Sequence, residues 1–351
     1  YMAGIPKYDG FCTVPDHVDY KPVVGKFLNL YEPISHRPQE GDFPCIRSLV
    51  EHIFGEQYEQ GMDYLQLLYL YPIQKQPILL LVSEERNTGK STFLNFLKAI
   101  YQNNVTFNTN EDFRSQFNSG WAGKLLIMVD EVLLNRREDS ERLKNLSTTL
   151  SYKVEAKGKD RDEIGFFAKF VLCSNNEHLP VIIDAGETRY WVRKIVPLKS
   201  DDTDFLQKLK TEIPAFLHFL QHRQLSTGKE SRMWFNPKLL ETDALRKIIR
   251  SNRNRLEIEM AELLLDIMAS VGVESVSFCL NDIVPLLVCS QVKVEKSQVR
   301  KVVQECWKLT PASNSLSYTT YQYDYNRECL YSPVRRIGRY YTVSKAQLET
   351  L

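Results

Sequence analysis

The sequence has little of what marks secreted, zinc-binding or membrane proteins. Its 351 residues include seven cysteines, an odd number, with no C-x-x-C pair. Such scattered cysteines argue against a disulfide framework or a zinc site and favour reduced thiols. No apolar run approaches the roughly 20 residues that a membrane helix needs, and the N-terminus does not resemble a signal peptide. These absences predict a cytoplasmic protein without a membrane partner.

An excess of charge of one sign is also missing. Lysine and arginine number 45 against 44 aspartates and glutamates, which gives a formal net charge of +1. Any contact with nucleic acid must therefore come from local clusters. The length allows two or three domains. The start, Tyr1-Met2-Ala3, leads us to expect one piece of a longer protein.

Residues 1–44 show little periodicity. Six prolines interrupt any helix there, and we predict an extended N-terminal arm. His17, His36 and Cys45 do not have the spacing of a standard metal site. We interpret them as surface residues.

The most informative stretch follows, from Pro77 to Tyr101. Ile78–Val82 is continuously apolar, as a parallel strand buried on both faces requires. A polar loop containing Gly89 comes next, and an amphipathic helix begins at Lys90. Strand, loop and helix in this order predict a phosphate site, because loop N–H groups and the helix N-terminus face one point.

The residue types in this loop suit a nucleoside triphosphate. The pattern G-x-x-x-x-G-K-[ST] is met except at its first glycine, where Glu84 stands. We expect Lys90 to reach the β- and γ-phosphates and Ser91 to place its hydroxyl on Mg²⁺. An ordinary strand-to-helix turn is the alternative. The predicted nucleotide-binding residues are Asn87, Thr88, Gly89, Lys90, Ser91 and Thr92.

Two later apolar runs also end in polar residues. Residues 125–129 lead into Asp130 and Glu131. We expect Asp130 to hold Mg²⁺ and Glu131 to polarise the attacking water, with a simple capping role as the alternative. Residues 170–174 lead into Asn175, whose amide can hydrogen-bond that water or the γ-phosphate.

A charged hairpin is predicted between these two runs. Apolar and polar residues alternate over 152–156, as in a half-exposed strand. Residues 158–160 form a turn, and 164–167 form the returning strand. Acidic neighbours at the tip leave a solvated turn as an equal alternative to a DNA-contacting loop. The basic residues that would contact DNA are Lys157, Lys159 and Arg161.

Two arginines follow the last of these runs. An arginine placed there can reach a γ-phosphate bound by a neighbouring subunit and stabilise the charge that develops on it. Arg189 and Arg193 both qualify. A salt bridge within the chain is the alternative for each.

The remainder divides into a helical connector at 201–254 and a separate unit at 255–351. The latter contains three predicted helices and then a β-ribbon, the order of a winged helix-turn-helix. Such units bind DNA or dock proteins, and the sequence leaves both open.

Taken as an ordered set, the motifs resemble those of the superfamily 3 helicases. The resemblance is to the helicase half of phage and poxvirus primase-helicase proteins, including those of mobile elements, and covers roughly residues 45–200. The set comprises G-K-S-T, I-M-V-D-E, the charged hairpin, V-L-C-S-N-N and G-E-T-R-Y-W-V.

This resemblance implies an α/β fold with an AAA+-type P-loop ATPase core, a parallel sheet with flanking helices. It also implies a ring of six subunits, with ATP between subunits and the hairpin gripping single-stranded DNA in the channel. The matching residues are Lys90 and Ser91 for phosphate and Mg²⁺, Asp130 and Glu131 for the acidic pair, Asn175 for the sensor, Lys157 or Lys159 for the hairpin, and Arg189 for the arginine finger.

We therefore expect an ATP-dependent DNA helicase or translocase of a phage or mobile element, working in the bacterial cytoplasm. It would use ATP and Mg²⁺, and its partners would be single-stranded DNA, further copies of itself and a primase or other replication proteins. Glu84 keeps open a degenerate nucleotide-binding module that loads or scaffolds a replisome without fast turnover. An AAA+ switch that acts on protein is a third hypothesis.

Overall fold

A computed structural model describes residues 7–113, 119–121, 123–134, 136–154, 162–184, 186–198, 202–251, 255–289, 294–324 and 331–349. Contacts divide the chain into two compact units, residues 1–252 and 253–351. The elements of the first unit are β1 (Gly10–Cys12), β2 (Val23–Val24), β3 (Phe27–Asn29), α1 (Pro44–Phe54), α2 (Tyr58–Leu70), β4 (Ile78–Val82), α3 (Lys90–Tyr101), β5 (Val105–Phe107), β6 (Leu126–Val129), α4 (Arg137–Thr148), β7 (Ser151–Val154), β8 (Asp162–Gly165), β9 (Lys169–Ser174), β10 (Tyr190–Lys194), α5 (Phe205–His222) and α6 (Asp243–Ser251).

The core of this unit is a parallel sheet of five strands in the order β10-β4-β9-β6-β5. The packing of strand β4 explains why its sequence is continuously apolar. Leu79 and Leu81 pack against α1, α2, α3 and α5, whereas Ile78, Leu80 and Val82 pack on the other face with α4 and α6. The sheet is thus buried on both faces. This is the predicted P-loop NTPase-like α/β fold.

Two strands of the sheet were not predicted. β5 has only three residues, and β10 carries Arg193 and Lys194 at its end. The predicted hairpin is present as the antiparallel pair β7 and β8, which runs from Ser151↔Gly165 to Val154↔Asp162. No helix in the described part of the chain has the length and apolar character that a membrane span requires.

The N-terminal segment contains more regular structure than an extended arm. β1 pairs in parallel with β3, and β2 pairs with β3 in the antiparallel sense. His17, interpreted above as a surface residue, is instead enclosed by tyrosines. Its Nδ1 donates to the Tyr69 carbonyl at 2.9 Å, and its Nε2 accepts from the Tyr31 hydroxyl at 2.7 Å. One neutral tautomer of the imidazole satisfies both bonds.

The enclosure of His17 predicts a pH dependence of stability. Burial lowers the pKa of His17 from 6.5 to about 4. As the pH falls, the imidazole is protonated in the unfolded chain before it is protonated in the folded protein. The contribution of neutral His17 to the free energy of unfolding is therefore complete above pH 6.5 and is lost as the pH falls toward 4. The loss is on the order of 3 kcal/mol. Urea unfolding between pH 4 and 7 should therefore show a shallower loss of stability in His17→Gln than in the wild type. Parallel profiles would contradict this.

The second unit is an α+β domain with winged-helix order. It contains α7 (Arg255–Val271), β11 (Ser275–Phe278), α8 (Leu280–Cys289), α9 (Lys296–Lys301), β12 (Leu316–Tyr323), β13 (Tyr331–Gly338), β14 (Tyr341–Ser344) and α10 (Lys345–Glu349). β12 and β13 form the predicted ribbon. β14 pairs with β11, a strand that the sequence did not predict. Arg336 is paired with Asp282 at 2.7 Å.

Candidate nucleotide-binding site

The loop between β4 and α3 has the conformation of a phosphate loop. Asn87 and Gly89 adopt positive φ values of 54° and 80°, which asparagine and glycine tolerate best. Neighbouring elements hold this shape. The Leu198 N–H donates to the Asn87 carbonyl at 3.0 Å, and the His52 Nε2 donates to the Thr88 carbonyl at 3.0 Å.

Glu84, in place of the usual first glycine, fits without backbone strain. Glu84 does not adopt a positive φ, so this position does not need the conformational freedom of glycine. Its N–H donates to Glu177 Oε1 at 3.2 Å. Its carboxylate is 3.2 Å from His178 Nε2 and 4.0 Å from Lys247 Nζ. Two basic side chains thus lie beside this carboxylate, and one of them, Lys247, is closer to Glu177, at 2.9 Å.

Lys90 begins α3 and points its ammonium group at the ends of β4 and β9. The ammonium donates to Thr88 Oγ1 and to Asn175 Oδ1, each at 3.1 Å, and to the Ser83 hydroxyl. Burial lowers the pKa of Lys90, and nearby acidic groups oppose this shift. A buried cation bonded only to neutral oxygens is well placed to bind an anion. Thr92 lies in the same first helical turn, half-buried.

Ser91 and Asp130 form a pair that suits Mg²⁺. Asp130 directly follows β6, and the Ser91 hydroxyl donates to its Oδ2 at 2.7 Å. Hydroxyl and carboxylate oxygens are ligands that Mg²⁺ prefers, and Mg²⁺ commonly needs only one or two protein ligands when phosphates supply others. The donor set therefore fits this ion. Among the described residues, no group of three or more His, Cys, Asp or Glu forms an alternative metal site.

Glu131 and Asn175, which follow the ends of β6 and β9, lie together. The Asn175 Nδ2 lies 3.4 Å from Glu131 Oε1, so its amide links Glu131 to Lys90. Glu131 has a φ of 60°, a conformation that costs about 1–2 kcal/mol outside glycine. Asn110 stabilises it by donating to the Glu131 carbonyl at 3.2 Å and accepting from the Leu133 N–H at 2.8 Å. The Glu131 side chain remains exposed.

Neither candidate arginine presents an uncommitted guanidinium. Arg189 Nη1 is 2.9 Å from Glu187 Oε2. Arg193 lies within β10, is 8% exposed, and donates to Glu56 Oε1 and Gln57 Oε1 at 2.7 Å each. The placement of Arg193 inside a strand does not favour it as a group that reaches another subunit.

The hairpin residues Lys157, Lys159 and Arg161 lie outside the described residues. Their strands, β7 and β8, are placed directly before β9 in the chain.

Sequence reasoning missed a cluster of charges beside the loop. Glu177 is 3% exposed and receives Lys194 Nζ at 3.0 Å and Lys247 Nζ at 2.9 Å. These pairs hold the pKa of Glu177 below its ordinary value, against the effect of burial. Lys247 comes from α6, seventy residues away, so no local pattern predicts it. The position of Glu177 two residues after Asn175 was the only available signal.

Comparisons with known proteins agree with this fold. Residues 81–190, which include Lys90, Ser91, Asp130, Glu131 and Asn175, match a family of unknown function (DUF5906). Curated proteins provide no match. A structure described as the apo form of the NrS-1 C-terminal region is 18% identical, with a TM-score of 0.58 over 94% of this chain and 84% of that one.

Another structure of the NrS-1 C-terminal region, its A form, is also 18% identical. It has a TM-score of 0.58 over 88% of this chain and 74% of that one. A JCV helicase bound to a small molecule is 15% identical over 66% of this chain, but its TM-score of 0.36 is too low to support an argument. The likeness to the NrS-1 structures shows a shared fold.

Proposed function

We propose that this chain is an ATP-dependent DNA helicase or translocase of a phage or mobile-element replication protein. One observation carries the proposal: Lys90, the Ser91–Asp130 pair and the Glu131–Asn175 pair converge at the carboxyl ends of β4, β6 and β9. A basic group for phosphate, oxygen ligands for Mg²⁺ and a carboxylate for water are the groups that phosphoryl transfer requires.

Each residue has a distinct part in ATP hydrolysis. Lys90 binds the phosphates and offsets their charge. Ser91 and Asp130 would hold Mg²⁺, which when bound neutralises charge on the β- and γ-phosphates. Glu131 accepts a proton from water as the water oxygen bonds to the γ-phosphorus. The bond from that phosphorus to the bridging oxygen breaks, which leaves ADP and phosphate, while Asn175 keeps Glu131 in position.

A ring of identical subunits would couple this reaction to movement. Arg189 is the better candidate for a group that reaches a neighbour's ATP, because it is less buried than Arg193 and its partner Glu187 lies only two residues away. Lys157, Lys159 and Arg161 would contact the phosphates of single-stranded DNA. A hexamer, with a primase or other replication proteins as partners, is the assembly that we propose.

A nucleotide-binding module without fast turnover is the second candidate. The observation that favours it is the Glu84 carboxylate, which is 58% exposed beside the phosphate loop. A negative charge there weakens the binding of a triphosphate unless His178 and Lys247 offset it. Such a module would load or scaffold other replication proteins.

Unwinding of a forked DNA duplex tests the helicase proposal. We expect the chain to displace the labelled strand with ATP and Mg²⁺, and not with a non-hydrolysable analogue. Lys157→Glu combined with Lys159→Glu should remove unwinding and the stimulation of ATP hydrolysis by DNA while basal hydrolysis persists. Retention of both in this variant would mean that Lys157 and Lys159 do not grip the DNA, whereas a wild type that neither unwinds DNA nor responds to it would favour a switch that acts on protein.

A further inference from the structure

A cavity of about 730 Å³ lies at the amino end of the sheet. The segment before β4, the end of α4 and the loop at 229–234 form its walls. Strand β4 spans five residues, so roughly 16 Å of strand separates this end from the phosphate loop. The volume of the cavity is in the range of cavities that bind small molecules or single nucleotides. None of the residues that line it belongs to the nucleotide-binding site.

Aromatic side chains line one part of the cavity. Trp234 has a φ of 77°, a strained conformation for a bulky residue. A tight turn with Ser231 and a bond from its Nε1 to Thr227 Oγ1 at 3.1 Å hold it in place. Tyr71 is 53% exposed at the same cavity. Trp234 also packs against the hydrophobic core, so its indole ring is held in a fixed position at the cavity wall.

Basic side chains line another part. Lys229 and Arg232 are exposed at the rim, and Lys75 is half-buried inside. Lys75 Nζ donates to the Phe166 carbonyl at 2.6 Å, and in the described part of the chain it forms no ion pair with a carboxylate. Burial lowers the pKa of Lys75 to about 8, and a bound phosphate would keep it protonated.

Among the described residues of the wall, Asp16 contributes the one carboxylate that accompanies these three basic groups. Asp16 Oδ1 accepts hydrogen bonds from the Val18 and Asp19 N–H groups at 2.9 and 2.8 Å. The carboxylate thus serves a local turn, and the cavity keeps an excess of positive charge. The loop is anchored independently, since Gln74 Nε2 donates to the Arg232 carbonyl at 2.9 Å.

We propose that this cavity binds a nucleotide of single-stranded nucleic acid, with its base against Trp234 and Tyr71 and its phosphate near Lys75, Lys229 and Arg232. Aromatic faces combined with basic groups are how proteins hold single strands without reading their sequence. Thr148 and Leu150 of the wall directly precede β7, the first strand of the hairpin proposed to contact DNA. The inference rests on the proposed function in that it supplies a second contact for the same strand.

Binding of a fluorescein-labelled oligothymidylate, measured by anisotropy without ATP, tests this site. We expect Tyr71→Ala, Trp234→Leu and Arg232→Glu each to weaken binding by about tenfold, in the range measured for lost stacking or phosphate contacts. Lys238→Glu is the matched control, because Lys238 is exposed nearby and outside the cavity. It should bind like the wild type.

Competition identifies the ligand. Unlabelled oligodeoxyuridylate or oligouridylate should displace the probe far better than inorganic phosphate, and because these two differ only at the 2′ position, the stronger competitor shows which sugar is preferred. Equal competition by phosphate, or wild-type affinity in Tyr71→Ala and Arg232→Glu, would overturn the proposal even if Trp234→Leu fails to fold.

Basal ATP hydrolysis of the same variants separates the two proposals. All of them should hydrolyse ATP like the wild type. If the wild type hydrolyses no ATP while the cavity variants still lose oligonucleotide binding, the cavity proposal stands and the motor proposal fails.

Discussion

Glu131→Gln is expected to lower the rate of ATP hydrolysis by about 10²–10³-fold, within the range that a positioned general base contributes. The substitution removes the group that accepts the proton from water and keeps the size of the side chain. ATP affinity should change little, because Lys90 and the Ser91–Asp130 pair are untouched. Phosphate release and direct binding of a fluorescent ATP analogue measure the two quantities separately.

A matched control is Glu241→Gln, at an exposed carboxylate away from the site. It should leave both quantities unchanged. If Glu131→Gln turned over ATP at the wild-type rate, Glu131 could not be the base, and the arrangement with Asn175 would need another explanation.

Lys90→Ala should have the second large effect, a fall in hydrolysis of at least roughly 10²-fold together with weaker ATP binding. Lys90→Arg should not restore activity. The ammonium group of Lys90 lies among three oxygens, from Ser83, Thr88 and Asn175, and a planar guanidinium does not match this pocket.

The melting temperature shows whether this loss is chemical or structural. Because burial lowers the pKa of Lys90, its charge is held at a cost to the fold. Lys90→Met should therefore melt at or above the wild-type temperature while it is inactive. A large fall in melting temperature would mean that Lys90 serves the fold instead.

The sequence was most informative where local pattern and buried position coincide. The strand predicted at Ile78–Val82 has those bounds, because a short apolar run between Pro77 and a polar loop is typical of a strand covered on both faces. The sequence also assigned Glu131 and Asn175, which follow two further runs, to the attacking water or the γ-phosphate. The structure has these two side chains in contact.

Features that depend on distant residues could not be predicted. β5 is too short to show a hydrophobic pattern. β10 ends in the charged residues Arg193 and Lys194, so its sequence does not read as a buried strand; it is stabilised by pairing with β4. The Glu177–Lys247 pair joins residues seventy positions apart. The cavity depends on the backbone of Trp234, which no propensity of tryptophan suggests.

ATP hydrolysis by the intact chain, with and without single-stranded DNA, tests the central claim most directly. The motor proposal predicts measurable turnover that DNA increases, and loss of that turnover in Lys90→Ala. Binding of ATP with no turnover, whether or not DNA is present, would contradict the motor proposal and favour a module that holds nucleotide to assemble other proteins.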